Sequence, residues 1–466
     1  MMKPTYTLLF LFIILLSGAR SVQAQGYCSN GTVYLTENHP VAYDDVVYKQ
    51  APAIDEWFFE IPENIRLRVY YPSDLPAGEQ RPLVVLIHGG YFIAGNYHDF
   101  NAFAERFAQM GFVCATIDYR LCKRNDCLLA NVFSPCNISW GYSFVPSSYV
   151  AVVDVNDGIR WLQQHATDYH IDPEQVVVSG HSAGAFTALN VAFLDQDEIQ
   201  QVLSGAGTPG NDYLSEALDP VEGIQAVVPM AGASLNPDWI DAEEINDEHI
   251  SVALVHGTAD GVVDYDVNAA IPCCHTYQTQ VYGACAVAHR VHELGGNLLL
   301  LSGEGFGHDI GDSLLLQAIF REIPAFIIKT VICGENVSLH TSVTRSPALS
   351  YCPDGSGETP PLCDVLPSGP GLSVPVVEPK QARLDIRVVQ SAFTDNSIEA
   401  TIEVPFSDSY QYTIQDQTGR TYLQNRLWLS AGAQHLSIHL DLPAGVYVLH
   451  VTDSKGSSGV ARVIRL

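Results

Sequence analysis

Val176-Val-Val-Ser-Gly180-His181-Ser182-Ala183-Gly184 is the stretch on which the fold turns. Three consecutive valines read as a strand buried on both faces, and Ala183 to Leu194 reads as a helix. Almost no chain is left between them, so the reversal has to be made within Gly-His-Ser. A turn that tight strains the serine backbone and projects its Oγ beyond the strand end, while Gly180 and Gly184 leave room where side chains would clash. Ala183 and Ala185 let the helix approach the strand closely. A bare G-x-S-x-G is weak evidence, because Gly and Ser often just mark loops. The strand-to-helix setting is what gives this one its weight.

Outward from this motif, short apolar runs alternate with helical patterns from about Arg66 to Lys329. Strands are expected at Leu83 to Ile87, Val113 to Ile117, Gln175 to Val178, Ala226 to Val228, Val252 to Val255 and Leu298 to Leu301. Helices are expected at Phe100 to Gln109, Tyr149 to His165, Ala183 to Leu194, Tyr277 to Leu294 and Ser313 to Ile328. The alternation predicts an α/β fold with a mostly parallel central sheet and flanking helices over residues 25–334. Residues 335–383, dense in Pro, Gly and Ser, read as a linker in which Cys352 and Cys363 could close a small loop. Residues 384–466 show seven short strand patterns and no helical period, which predicts a small all-β sandwich.

The N-terminal segment reads as an export signal. Lys3 precedes an apolar run from Leu8 to Leu16, and Val22-Gln23-Ala24 supplies small residues for cleavage, so residues 1–24 are expected to leave a mature start near Gln25. The run is far shorter than the roughly 20 residues a bilayer crossing needs. Eleven cysteines agree with an oxidising compartment; Cys114, inside a buried strand pattern, is expected to be the free one. Scattered spacing, with no pair of Cys-x-x-Cys motifs, argues against a zinc site. With 23 Lys plus Arg against 52 Asp plus Glu, the formal charge of -29 would repel a phosphate backbone, so nucleic acid is not an expected partner.

Three residues in chain order then suggest nucleophilic chemistry. Ser182 is the candidate nucleophile. Ser251-Val-Ala-Leu-Val-His256-Gly257-Thr-Ala-Asp260 is a buried strand ending in a glycine turn with a carboxylate beyond it, the place where open sheets carry their sites. Asp264 is the rival acid, expected to face solvent or tune its loop. His308, in the glycine-rich loop Gly303-Glu-Gly-Phe-Gly307-His308, is the candidate base. Leu83 to Ile87 runs into His88-Gly89-Gly90-Tyr91, whose backbone N–H groups, with that of Ala183, are candidates for holding an oxyanion. His88 is expected to brace that turn rather than act as base. A serine, an imidazole and a carboxylate in these positions point to acyl transfer.

The ordered set His88-Gly-Gly, Asp118-Tyr-Arg120, Asp157-Gly-Ile-Arg-Trp-Leu162, Ile171-Asp-Pro173, Gly180-His-Ser-Ala-Gly184, His256-Gly-Thr-Ala-Asp260 and Gly307-His308 resembles the carboxylesterase and lipase-like branch of the α/β-hydrolases, over residues 60–330. The resemblance implies carboxylic-ester hydrolysis with no cofactor. Where many relatives have a third glycine this chain has Tyr91, which leaves open which of Gly89, Gly90 and Tyr91 donate to the oxyanion. The tail, with Asp416-Gln-Thr-Gly419, Leu442-Pro-Ala-Gly-Val-Tyr447 and Arg462-Val-Ile-Arg-Leu466, resembles the C-terminal sorting domain of bacterial type IX secretion cargo, although the Pro-Asn-Pro that often opens such domains is missing. That likeness implies secretion machinery as a partner and delivery to the medium or the outer-membrane surface. Hydrolysis of polymer or polysaccharide-decorating esters, a serine peptidase, and a non-catalytic adhesin are the competing readings.

Overall fold

A computed structural model describes residues 39–54, 60–121, 140–195, 198, 218–269, 280–350, 361–367 and 369–372, and beyond these the strands between 385 and 465 with the turns 420, 440 and 442–443. The expected export signal lies outside the described residues. The chain divides into two units, Met1–Val376 and Val377–Leu466. In the first, the elements are β1 (Val41–Ile54), β2 (Glu60–Pro72), β3 (Arg81–Ile87), α1 (Asn101–Gln109), β4 (Val113–Ile117), α2 (Trp140–Gln164), β5 (Ile171–His181), α3 (Ala183–Phe193), β6 (Ile224–Met230) and β7 (Ser251–Gly257). They continue as β8 (Val267–Ala269), β9 (Gln280–Tyr282), α4 (Ala284–Glu293), β10 (Leu298–Glu304), α5 (Ser313–Ile327) and β11 (Ser338–Thr344).

Nine strands form one sheet in the order β1-β2-β4-β3-β5-β6-β7-β10-β11. From β4 to β11 every neighbouring pair is parallel, and of the nine strands in this sheet β2 alone is reversed, pairing antiparallel with both β1 and β4. Every residue of β3, β4 and β7 is buried, as strands covered on both faces should be. The two-residue period divides their side chains between two cores. Val85, Ile87, Val176, Val178 and Leu254 pack on one face with α2, α3 and α4, while Val84, Leu86, Val177, Val255 and Leu299 pack on the other with α1 and α5. All eleven residues of α3 are buried, so this short helix needs no polar face. The mostly parallel sheet with helices on both sides is the fold class the sequence predicts.

The chain leaves β3 for β4 on one side and returns across it to β5 on the other. This reversal opens a crevice at the C-terminal ends of β3 and β5, where sheets of this kind hold their ligands. His88-Gly-Gly and His181-Ser182 stand at those two ends.

Three expectations need correction. The linker does not begin at residue 335: β11 is the parallel edge strand beside β10, and residues 361–372 are tied to the same unit. Gly369 N–H donates to the His340 carbonyl and Leu372 N–H to buried Glu322. Cys363 is bonded to Cys285 rather than to Cys352. The expected fourth helix, Tyr277 to Leu294, also starts later, because Gln280–Tyr282 pairs with Val267–Ala269 and α4 begins only after Gly283. Cys114 is free and buried, as expected, and burial pushes its thiol pKa up.

The second unit contains one sheet of three strands, β12 (Asp385–Val388), β14 (Ser397–Val404) and β17 (Gly432–His439), in that order. A second sheet has the order β13-β19-β18-β15-β16, with β13 (Ala392–Phe393), β15 (Asp408–Asp416), β16 (Thr421–Leu429), β18 (Gly445–Thr452) and β19 (Ser458–Arg465). Tyr410, Ile414, Leu449 and Val451 are buried in it. Every element among the described residues of the tail is a strand, as its strand spacing predicts.

Candidate active site

Ser182 sits between β5 and α3 with φ 56° and ψ −122°, in the left-handed half of backbone space that a serine seldom occupies. Two absent side chains make this turn fit: a Cβ on Gly184 would lie 2.1 Å from the Ile87 carbonyl oxygen, and one on Gly180 would lie 2.3 Å from that of Gly184. Strand β3, the turn and α3 are thus in direct backbone contact. Helix α3 begins at Ala183, whose N–H is among the first helical amides and has no partner within the helix.

His308 Nε2 lies 2.8 Å from Ser182 Oγ and His308 Nδ1 lies 2.8 Å from Asp260 Oδ2. The hydroxyl donates to Nε2 and the Nδ1–H donates to the carboxylate, which assigns the imidazole tautomer. The loops that deliver the two residues are stitched together: Ala259 N–H donates to Phe306 O, Thr258 N–H to Gly303 O, and Gly305 N–H to Thr258 Oγ1. Gly257 permits this approach, since a Cβ there would meet Phe306 O at 2.3 Å. The structure therefore brings Ser182, His308 and Asp260 into one hydrogen-bonded row.

Asp260 is fully buried. Burial alone would raise its pKa, but the charge of His308 and hydrogen bonds from His256 and His308 outweigh it and hold the carboxyl well below the usual range. Its Oδ1 accepts the N–H groups of Val262 and Val263 at 2.9 and 3.0 Å. Asp264 is buried too, so of the two roles expected for it, facing solvent or tuning its loop, the first is corrected and the second holds. It accepts from Asp266 N–H and Asn268 Nδ2 and orders its own loop.

On the other wall, a Cβ on Gly89 would lie 3.1 Å from Ser182 Cβ, so the His88-Gly89-Gly90 turn runs directly past the serine. Gly90, Tyr91 and Phe92 have φ of 106°, 57° and 63°, three successive left-handed residues. A glycine would hold this conformation without strain, and Tyr91 holds it at a cost of about 1 kcal/mol. His88 is the brace the sequence suggests: its Nδ1–H donates to Gly89 O at 2.7 Å, its ring stacks on Tyr119 at 4.3 Å, and Tyr119 OH donates to His88 O at 3.0 Å. Burial lowers its pKa.

Two residues at the site are not singled out by the sequence. His181 Nε2–H donates to the backbone carbonyl of His308 at 2.8 Å, joining the serine turn to the histidine loop. Burial and the neighbouring His308 lower its pKa to about 4. His256 Nε2 reaches Asp260 Oδ2 at 3.1 Å. Both lie inside quoted motifs, and that position is the one signal that could have marked them. Among the described residues, the group best placed for a metal is Cys285, His289 and Cys363, and its two sulfurs are joined in a disulfide.

The mostly parallel order, the turn after β5 and the strand-end placement of the three side chains are now together. The fold is a mostly parallel α/β sheet with flanking helices, the class the sequence predicts. A family model described as BD-FAE matches residues 67–234, which include both the His88-Gly-Gly turn and Ser182 but stop short of Asp260 and His308. Carboxylesterase 1C of Mus musculus is 28% identical over 163 residues, 34% of this chain and 26% of that protein. Esterase LipQ of Mycobacterium tuberculosis is 26% identical over 163 residues, 35% of this chain and 32% of that protein. The chain thus spans about a quarter to a third of the length of these curated relatives. Among solved structures, Thermogutta terrifontis esterase 2 phosphorylated by paraoxon is similar at 21% identity and a TM-score of 0.41, covering 60% of this chain and 90% of that one.

Proposed function

We propose that the protein is a serine carboxylic-ester hydrolase. The observation that carries this reading is the row Ser182 Oγ, His308, Asp260, closed by two contacts of 2.8 Å at the switch point of the sheet. In the reaction His308 Nε2 takes the Ser182 proton as Oγ attacks the ester carbonyl carbon. The carbonyl oxygen becomes an oxyanion held by backbone N–H groups of Ala183 and of the Gly89-Gly90-Tyr91 turn. The imidazolium, stabilised by Asp260, gives its proton to the leaving alcohol, and an acyl-Ser182 remains. Water, deprotonated by His308, then attacks the acyl carbon, and the acid leaves as Ser182 recovers its proton. No cofactor enters these steps. The carboxylesterase and esterase names among the relatives support the choice of esters.

The test is direct. Ser182→Ala is expected to abolish hydrolysis of p-nitrophenyl esters, and labelling by a fluorophosphonate, while circular dichroism and melting stay those of the native protein. Retained turnover in a folded Ser182→Ala protein would remove the assignment, and a wild type that neither turns over nor labels would favour the adhesin reading.

Export and sorting belong to the same proposal. The N-terminal pattern supports cleavage near Gln25, and the separate all-β unit supports use of residues 377–466 as an address read by secretion machinery.

A further inference from the structure

His256 is fully buried at the end of β7, and the proposed reaction leaves it without a role. Its Nε2 lies 3.1 Å from Asp260 Oδ2 and 3.0 Å from the carbonyl oxygen of Val263. Both neighbours are acceptors, so the proton sits on Nε2. Nδ1 is then a bare lone pair, and it is buried with no hydrogen-bond partner among the described residues. An unpaired buried polar atom is unfavourable, and an aliphatic side chain at this place would avoid the cost. The fold keeps the orphan at one nitrogen together with the contact at the other.

We infer that His256 is a positioning residue: its Nε2–H fixes and polarises Asp260 Oδ2, the oxygen that receives His308 Nδ1–H. The two carboxylate oxygens are held in different ways. Oδ1 is pinned by two backbone amides, whereas among the described residues the donors to Oδ2 are side chains, those of His308 and His256. His308 rides on a glycine-rich loop and must move its proton, so it cannot also serve as the fixed point for the oxygen it uses. His256, locked in a strand end and bonded also to Val263, can. The other groups facing Asp260 are His308 on the loop after β10, Tyr91 on the loop after β3 and His181 at the end of β5. None of the last three replaces the donor that His256 supplies.

The role presupposes the proposed ester hydrolysis, and the experiment separates the two. Full-length wild type, His256→Leu and His256→Gln are assayed on a soluble p-nitrophenyl ester from pH 5 to 9, with Ser182→Ala as the blank. Leucine removes the donor, whereas the glutamine amide can present an N–H near the place of Nε2. His256→Leu is expected to lower kcat on the order of 10-fold to 100-fold, short of the ~10⁴ lost when the orienting carboxylate itself is neutralised, with KM within about twofold. Deprived of one donor, Asp260 holds protons more tightly, so the Asp260–His308 pair deprotonates later and the acid limb of kcat moves to higher pH. His256→Gln is expected to recover most of both. Equal impairment by Leu and Gln, or a Leu variant with native kcat and pH profile, overturns the role. If His256→Leu fails to fold, ¹⁵N-histidine spectra of the wild type at pH 8 decide: the Nε2–H tautomer at His256 is required, and the Nδ1–H tautomer refutes it. A wild type without esterase activity would instead remove the hydrolase reading and leave the tautomer result standing.

Discussion

Asp260 and Asp264 lie one turn apart in a single buried loop, and what separates them is the direction each faces. Asp260 turns to His308 and Asp264 turns to the amides of its own loop. Asp260→Asn should therefore lower kcat by about 10⁴, because an amide neither stabilises the imidazolium nor enforces the Nδ1–H tautomer. Asp264→Asn should keep turnover within a few-fold and lose melting temperature, since its carboxylate anchors Asp266 and Asn268. Steady-state kinetics and a thermal melt on both proteins check the pair, and a crippled Asp264→Asn would reassign the acid. At this scale the sequence was most informative where position along the chain determines geometry. Ser182, Asp260 and His308 follow from strand ends and glycine turns. His181 and His256 were invisible because their roles depend on which acceptor a ring nitrogen meets, and composition carries no trace of that.

Strands were legible in proportion to their burial. β3, β4 and β7 are apolar throughout because both faces are covered, so they could be read directly. β1 and β11 lie at the two edges of the sheet, and their sequences show it: Val41-Ala-Tyr-Asp-Asp-Val-Val-Tyr-Lys mixes polar and apolar positions, and Ser338-Leu-His-Thr-Ser-Val-Thr344 has little apolar content. Edge strands tolerate such mixtures. Ser338–Thr344 thus passed for linker, and the segment after it was judged by its prolines rather than by its anchors. The Cys285–Cys363 bridge, 78 residues apart in sequence, is the strongest of those anchors. Replacing both cysteines by serine should cost about 4.5 kcal/mol by loop-closure entropy and lower the melting midpoint by roughly 5–10 °C. The Ser182–His308–Asp260 row is built on other segments, so kcat at 25 °C should be unchanged. A melt that does not move would mean that His340, Glu322 and the packing of Val365 hold the segment without the bridge.

The molecule as a whole divides into two units at residue 376, beyond the expected end of the α/β domain at residue 334, and two truncations distinguish those boundaries. A chain ending at residue 376 retains β11, the Cys285–Cys363 bridge and the Leu372–Glu322 contact, together with every proposed site residue. It should fold and turn over a small soluble ester at the full-length rate. A chain ending at residue 334 loses the edge strand beside β10, strands the buried Glu322 carboxylate without its backbone donor and leaves Cys285 unpaired. The bridge alone is worth about 4.5 kcal/mol, against a typical total stability of about 5–15 kcal/mol, and β11 adds buried His340 and Thr341 to the loss, so this protein should be unfolded or aggregated. The longer truncation then tests the address. If the all-β unit directs export, the 1–376 enzyme should remain inside its native host's outer membrane with normal activity, while the full chain reaches the medium or the cell surface. If the unit instead holds a polymeric substrate, export should persist and only activity on insoluble esters should fall. Cell fractionation with both assays decides, and 1–376 enzyme found outside the cell would end the sorting proposal.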